Sequence, residues 1–232
     1  MWIKASLDSI IKETKSTWRF IVNISPNKIF LFKPGQFIQI KVNDVMRSYS
    51  IASIPNDQNK IELVIVKING GIMSNYLFNK IKQGEKFEIK GPLGKFVLPD
   101  KIDRDIFFIC TGTGIAPFRS MLRFIEKYDI KYQKIFLIFG TRMISDLLFY
   151  NEMLEYSNKL DNVNYIPILS REKWNNDNGY VHEIYKKILN QKKYEKEPLF
   201  YLCGWRDMIK EAKANLRSLG VDSKSIKIEI YG

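Results

Sequence analysis

The sequence predicts two domains of different build: an antiparallel β-barrel over residues 1–99 and a doubly wound parallel α/β sheet over residues 100–232. Two observations carry this. Up to Pro99-Asp100 the chain is a series of short, partly alternating apolar segments punctuated by turn residues, with one short helical pattern. That grammar suits a small antiparallel barrel. Beyond it, near-continuous apolar runs alternate with amphipathic helical patterns, as strands buried on both faces require. A chain of 232 residues allows two ordinary domains, and 45 % hydrophobic content is enough to give each a core.

Within the barrel, strand composition marks residues 18–22, 37–42 and 61–66, with Pro34-Gly35 turning the chain before the second and residues 55–57 before the third. Between the second and third strands lies Arg47-Ser48-Tyr49-Ser50-Ile51-Ala52-Ser53. Arginine pairs with phosphate in a forked geometry. Tyr49, two residues on, falls on the same face of a strand, where its ring can lie against a planar ligand. Ser50 can donate a hydrogen bond to a ring heteroatom. Together they form a grip for a flat, phosphorylated aromatic cofactor. Gly70-Gly71-Ile72-Met73-Ser74 then opens a helical pattern whose apolar residues are Tyr76, Leu77 and Ile81. Gly71 allows close backbone approach, and the amides of Met73 and Ser74 would point at an anion. Residues 86–90 alternate as a strand, and Gly91-Pro92-Leu93-Gly94 breaks the chain.

In the second domain, the strand at 106–110 runs into Gly112-Thr113-Gly114-Ile115-Ala116-Pro117 and then a helix carrying Phe118, Met121, Leu122 and Ile125. Strand, glycine turn and helix is the arrangement that brings backbone amides to a pyrophosphate. Pro117 suits the first helical turn. Strands follow at 135–139, 163–169, 199–203 and 226–231, with helices at 146–156, 180–190 and 207–219. The last helix has Met208, Ala212, Leu216 and Leu219 on one side and Gly220 as its stop.

Composition narrows the chemistry. Two cysteines, Cys110 and Cys203, and one histidine, His182, exclude a four-cysteine iron–sulfur cluster and a disulfide framework. No metal site is predicted. Cys110 reads as core, and His182 reads as an ordinary surface or capping residue. No apolar run has membrane-spanning length, and Met1-Trp2-Ile3-Lys4 does not open a signal peptide. A reducing, cytoplasmic setting is the expectation. The charge of +12, from 37 basic and 25 acidic residues, favours acidic partners by long-range attraction.

Taken in order, these motifs resemble those of the ferredoxin–NADP reductase superfamily over nearly the whole chain. The family's R-x-Y-S strand, G-x-x-S helix start and G-P-x-G turn match Arg47 to Ser50, Gly71 to Ser74 and Gly91 to Gly94. Its G-T-G-I-A-P loop and C-G-x-x-x-M turn match Gly112 to Pro117 and Cys203 to Met208. The resemblance implies FAD, with FMN as the alternative, held by Arg47, Ser48, Tyr49, Ser50, Ile65, Val66, Lys67, Gly71, Ile72, Met73 and Ser74. It implies a nicotinamide nucleotide, NADP(H) with NAD(H) possible, on Thr111, Gly112, Thr113, Gly114, Pro117, Cys203, Gly204 and Met208. Arg142, Ser170 and Arg171 would take the 2′-phosphate, since arginine accommodates that group where an acidic residue would select NAD. The catalytic set would be Ser50, Cys203, Glu229 and Tyr231, with Tyr231 covering the second flavin face; one further residue, Gly232, follows it.

The function so implied is electron transfer between NADPH and a one-electron carrier protein, an acidic ferredoxin or flavodoxin, by a monomer that neither binds nucleic acid nor inserts in membranes. An NADH-dependent reductase component of an oxygenase is the alternative, because Gly140 to Leu148 also fits a G-x-R-x-x-x-D-L-L pattern of such reductases and Glu172 could repel a phosphate. A flavoprotein sensor without fast turnover is a third reading. A basic nucleic-acid-binding barrel is the reading from a different class.

Overall fold

The computed structural model describes residues 1–25, 30–56 and 59–231, the last without its side chain. Asp57 of the expected turn, the Tyr231 ring and Gly232 lie outside the described residues. Packing divides the chain into two compact units. One holds Met1–Leu98 and Ala116–Lys127; the other holds Pro99–Ile115 and the residues from Tyr128 on. Among the described residues no helix is long and apolar enough to cross a membrane.

The first unit is a six-stranded antiparallel sheet. Its strands are β1 (Ile3–Lys12), β2 (Thr17–Ile24), β3 (Phe37–Val42), β4 (Val45–Ser50), β5 (Lys60–Val66) and β6 (Lys86–Leu93), in the spatial order β4-β3-β6-β1-β2-β5. The two outer strands meet where the chain leaves β4. Ile51 bridges Leu63, and the Ala52 amide donates to the Glu62 carbonyl at 2.8 Å. The sheet thereby curls into a barrel and covers its own edges. Alternate residues fill its interior, among them Leu7, Phe20, Val22, Ile38, Ile40, Leu63, Ile65 and Ile89.

Two features of this unit differ from the sequence expectation. The ten-residue strand β1 was not foreseen. Its register against β2 slips between Leu7 and Ser9, so a bulge at Asp8 breaks the period of two that marks a strand. Residues 91–94 do not end β6, which continues through a cis Gly91–Pro92 peptide to Leu93. Leu93 pairs with Phe37 past a bulge in β6, where Gly91 and Pro92 together stand opposite Ile38.

After β5 come helix α1 (Ile72–Asn75) and a π-helical turn, Tyr76–Lys80. Leu77 and Ile81 are buried in the barrel core. Helix α2 (Ala116–Lys127) packs with this unit. The cause is polar. The guanidinium of Arg119, 3 % exposed, donates to the Ala52 carbonyl at 3.1 Å and to the Glu62 carboxylate at 2.7 Å. The Ser120 hydroxyl donates to the Ser53 carbonyl. Arg123 and Arg19 complete the cluster on Glu62 at 3.0 and 2.9 Å. Burial pushes the Glu62 carboxyl up, but the arginines outweigh it and hold the pKa at about 2.

The second unit is a five-stranded parallel sheet of β7 (Ile106–Thr111), β8 (Ile135–Thr141), β9 (Val163–Leu169), β10 (Leu199–Trp205) and β11 (Ile226–Tyr231), ordered β11-β10-β7-β8-β9. Helices α4 (Val181–Gln191) and α5 (Arg206–Ser218) cover the face carrying Phe107, Ile109, Phe136, Phe200 and Leu202. Helix α3 (Tyr150–Lys159) packs on β9. It starts at Tyr150, not at 146. Residues Ile144–Asp146 form a 3₁₀ turn, and Phe149 at φ 55° re-aims the chain after Leu148 is buried. On α5 the buried stripe is Ile209, Ala212 and Leu216, whereas Leu219 is exposed. Strand order reverses between β7 and β10, the place where sheets of this build hold ligands.

Candidate cofactor-binding sites

In the first unit, Tyr49 lies opposite Ile38 and Arg47 opposite Ile40, so both residues of the motif share one face of β4, as the spacing requires. Tyr49 packs partly buried on the barrel core. Burial pushes its phenol pKa up, against a smaller opposing pull from Arg47. Arg47 is exposed and donates to its neighbour's carbonyl, Met46 O, at 2.8 Å. Ser48 is exposed and accepts a long bond from Gln39 at 3.5 Å, and Ser50 is buried.

Beside β4, the loop from β5 into α1 is folded by its own hydrogen bonds. The Ser74 hydroxyl accepts from the Ile68 amide at 3.0 Å, and the Gly71 amide donates to the Ile68 carbonyl at 3.1 Å. Ile65 and Met73 are buried and Val66 is half-buried, so the loop hangs from fixed ends. Lys67 is exposed, with its ammonium 5.6 Å from the centre of the Phe78 ring. Lys67, Gly71, Ile72 and Ser74 help to line a cavity of about 360 Å³. Its lining contains a lysine and no carboxylate, which fits a phosphate-bearing group. Sequence reasoning missed Asn69, Asn75 and Asn79 in this lining. The spacing of four between the last two was the available signal, since it puts them on one helical face.

In the second unit, the turns after β7 and β10 lie backbone to backbone at the point of strand reversal. A methyl group added to Gly114 would run into the Cys203 carbonyl, and one on Gly204 into the Thr111 hydroxyl. Only glycine permits this approach. The Trp205 amide donates to Thr111 Oγ1 at 3.3 Å, and residues Gly112–Ile115 form a 3₁₀ turn. Thr113 is half-buried and Met208 lies in the first turn of α5, whereas Pro117, buried in the first turn of α2, belongs to the first unit. Cys203 is fully buried, with Cys110 and Glu229 as its in-register neighbours on the flanking strands. Burial pushes the Cys110 thiol pKa well up, consistent with a core residue. Trp205, 61 % exposed beside Gly112, was not foreseen.

The carboxyl ends of β8 and β9 are joined. The Ser170 amide and hydroxyl donate to the Thr141 carbonyl at 3.0 and 3.3 Å, and the Arg171 amide donates to the Arg142 carbonyl at 3.0 Å. Two exposed arginines therefore stand on adjacent strand ends. The Glu172 carboxylate is engaged, accepting from the Ile144 amide at 2.8 Å. His182 is not a surface residue. It is 7 % exposed, with Nδ1 3.0 Å from the Tyr185 hydroxyl and Nε2 3.3 Å from the Glu211 carboxylate. It joins α4 to α5.

The model of the oxidoreductase FAD-binding domain matches residues 4–98, and that of the oxidoreductase NAD-binding domain matches residues 108–214. The anthranilate 1,2-dioxygenase electron transfer component of Acinetobacter baylyi is 32 % identical over 78 % of this chain and 53 % of its own length. Ferredoxin–NADP reductase B of Sorangium cellulosum is 29 % identical over 88 % of this chain and 87 % of its own. The chain thus spans about half the length of the first and most of the second. A ferredoxin NADP⁺ reductase from Neisseria gonorrhoeae, solved with bound FAD and NADP, shares the fold with a TM-score of 0.84 at 22 % identity, covering 99 % of this chain and 98 % of that one.

Proposed function

Since the chain belongs to the ferredoxin–NADP reductase superfamily and is an FAD- and NAD(P)-binding reductase, we propose that it passes electrons from NADPH to a one-electron carrier protein such as a ferredoxin or flavodoxin. In this reading residues 1–99 hold the flavin and residues 100–232 the nicotinamide nucleotide. The bound flavin supplies the conversion between hydride transfer and single-electron transfer. The chain's residues bind and orient. Arg47 neutralises phosphate, Tyr49 offers a ring face, and the Gly71 to Ser74 helix start offers amides to the pyrophosphate. The turns at Gly112 to Gly114 and Gly204 admit a second pyrophosphate at backbone distance. Ser50, Cys203, Glu229 and Tyr231 are the residues proposed to meet the reacting rings.

The observation that carries the NADPH assignment is the pairing of Ser170-Arg171 with Thr141-Arg142, which gathers two cations and a hydroxyl at one strand edge. A 2′-phosphate is a dianionic group that such a cluster suits. Steady-state assays with both nucleotides and an artificial electron acceptor test it. Arg142→Ala/Arg171→Ala should lose the preference for NADPH through a raised KM, with NADH little changed. An unaltered preference in that variant removes the arginines from the assignment.

The second reading, an NADH-dependent reductase of an oxygenase, is favoured by the dioxygenase electron transfer components among the relatives. Its specific prediction is a higher kcat/KM for NADH in the wild-type protein. A role limited to nucleic-acid binding gives way to the enzyme family.

A further inference from the structure

Two Asn-Gly steps occur in the chain, Asn69-Gly70 and Asn178-Gly179. Such a step can rearrange without an enzyme. The glycine amide nitrogen attacks the asparagine side-chain carbonyl carbon, closing a five-membered imide, and the side-chain nitrogen leaves as ammonia with the proton of the attacking amide. Water then opens the imide to aspartate or isoaspartate. No electrons are exchanged. Glycine favours the attack because it has no Cβ to obstruct it. Both reacting groups must also be free, since an amide held in a hydrogen bond is released only when the backbone opens locally.

The fold treats the two steps differently. At the second, the Gly179 amide donates to the Leu169 carbonyl at 2.9 Å, and Asn178 forms a β-bridge with Leu169. The Asn178 amide nitrogen donates to the Asn176 carbonyl at 3.0 Å. Nucleophile and electrophile are both tied. The first step lies in the turn closed by the Gly71 amide on the Ile68 carbonyl at 3.1 Å. Asn69 and Gly70 are the central residues of that turn, both exposed, with Gly70 at φ 74°. Among the described residues, neither the Gly70 amide nor the Asn69 side chain makes a hydrogen bond. A Cβ built on Gly70 would meet nothing within 4 Å, so the attack has open space. Asn69 also lines the cavity of about 360 Å³ that carries Lys67 and, among the described residues, no carboxylate.

We propose that Asn69 is a site of spontaneous deamidation, which sets a carboxylate into this cavity wall and weakens its hold on a phosphate-bearing ligand. The isoaspartate product also adds one backbone atom inside the Ile68–Gly71 turn. The consequence for FAD rests on the flavin reading above; the modification does not.

Protein aged at mildly alkaline pH, digested with trypsin and sequenced by mass spectrometry provides the test, with isoaspartate methyltransferase labelling as the probe. Folded protein should gain about 1 Da at Asn69, in the peptide Ile68–Lys80, and label there, while Asn178 stays intact. Denatured protein should convert at both. Ageing should weaken FAD binding, read by quenching of flavin fluorescence, about tenfold, the order of one charge-assisted contact. Asn69→Asp should show that loss without ageing, and Asn69→Gln should keep its own starting affinity throughout. No conversion at Asn69 in folded protein that converts when denatured, or equal conversion at Asn69 and Asn178 in folded protein, overturns the site. Full conversion with unchanged FAD affinity overturns its consequence. Failure of fresh protein to bind FAD overturns the flavin reading, while the mass spectrum still decides the modification.

Discussion

Replacing Glu62 with glutamine tests a carboxylate that ties helix α2 to the barrel. The substitution keeps the shape and removes the charge facing Arg119, Arg19 and Arg123. Arg119 is then left nearly buried beside a neutral amide, with the Ala52 carbonyl retained. The magnitude follows from the lowered acidity. A carboxyl held at about 2 instead of the ordinary glutamate value corresponds to about 3 kcal/mol of folded-state preference for the anion. The Glu62 side chain is 17 % exposed, so screening removes little of this. The sign is fixed by linkage. A depressed carboxyl pKa gives stability that is fully present above the unfolded value and is lost as pH falls toward 2. Urea unfolding should therefore show Glu62→Gln less stable than wild type by about 2–4 kcal/mol at pH 7. At pH 3 the gap should shrink to about 1–2 kcal/mol. A gap under about 1 kcal/mol at neutral pH, or one constant between pH 7 and pH 3, refutes the reasoning.

Arg47→Ala should weaken FAD retention about tenfold or more, the loss expected from a charge-assisted phosphate bond of about 1.5–3 kcal/mol; equilibrium dialysis measures it, and unchanged affinity counts against the phosphate role. Reduction of an acidic carrier protein should slow steeply with added salt, because screening shortens to about 8–10 Å near physiological ionic strength. A salt-independent rate would remove electrostatic steering by the +12 chain. His182 is held below its ordinary pKa, chiefly by burial and also by Lys186, against the opposing pull of Glu211 and Glu183. Its neutral form thus contributes stability that is present above the ordinary histidine value and lost as pH falls through it. His182→Phe should flatten the fall in thermal stability between about pH 7 and pH 5; a slope identical to wild type would show that other groups carry it.

The fold was legible where each element's own residues decide it. The buried runs at 106–110 and 135–139 need no partner to be recognised, and the glycine turn between strand and helix constrains itself. What escaped was set by contacts distant in sequence. Strand β1 is defined by its two neighbours, and the bulge at Asp8 hides its period. Helix α2 reads as an ordinary amphipathic helix, yet Arg119 and Ser120 on its buried side bind to Glu62, Ala52 and Ser53, some 60 residues earlier. His182 reads as a surface residue because its partner Glu211 lies one helix away. For the sites, motif spacing brought Arg47, Tyr49 and the Gly71 to Ser74 loop into view, because backbone geometry fixes them locally. Trp205 had no such signature; the strand reversal reveals it, and the cavity singles out the asparagine pair whose spacing of four was the available signal.

The most direct measurement is anaerobic rapid mixing of the FAD-loaded protein with NADPH and, separately, with NADH, following loss of the flavin absorbance. The account predicts complete bleaching by NADPH, with a second-order rate constant about tenfold or more above that for NADH, and loss of that advantage in Arg142→Ala/Arg171→Ala. A faster reaction with NADH would contradict the assignment of the β8 and β9 strand ends and favour the oxygenase-reductase reading. No bleaching by either nucleotide would contradict the reductase itself.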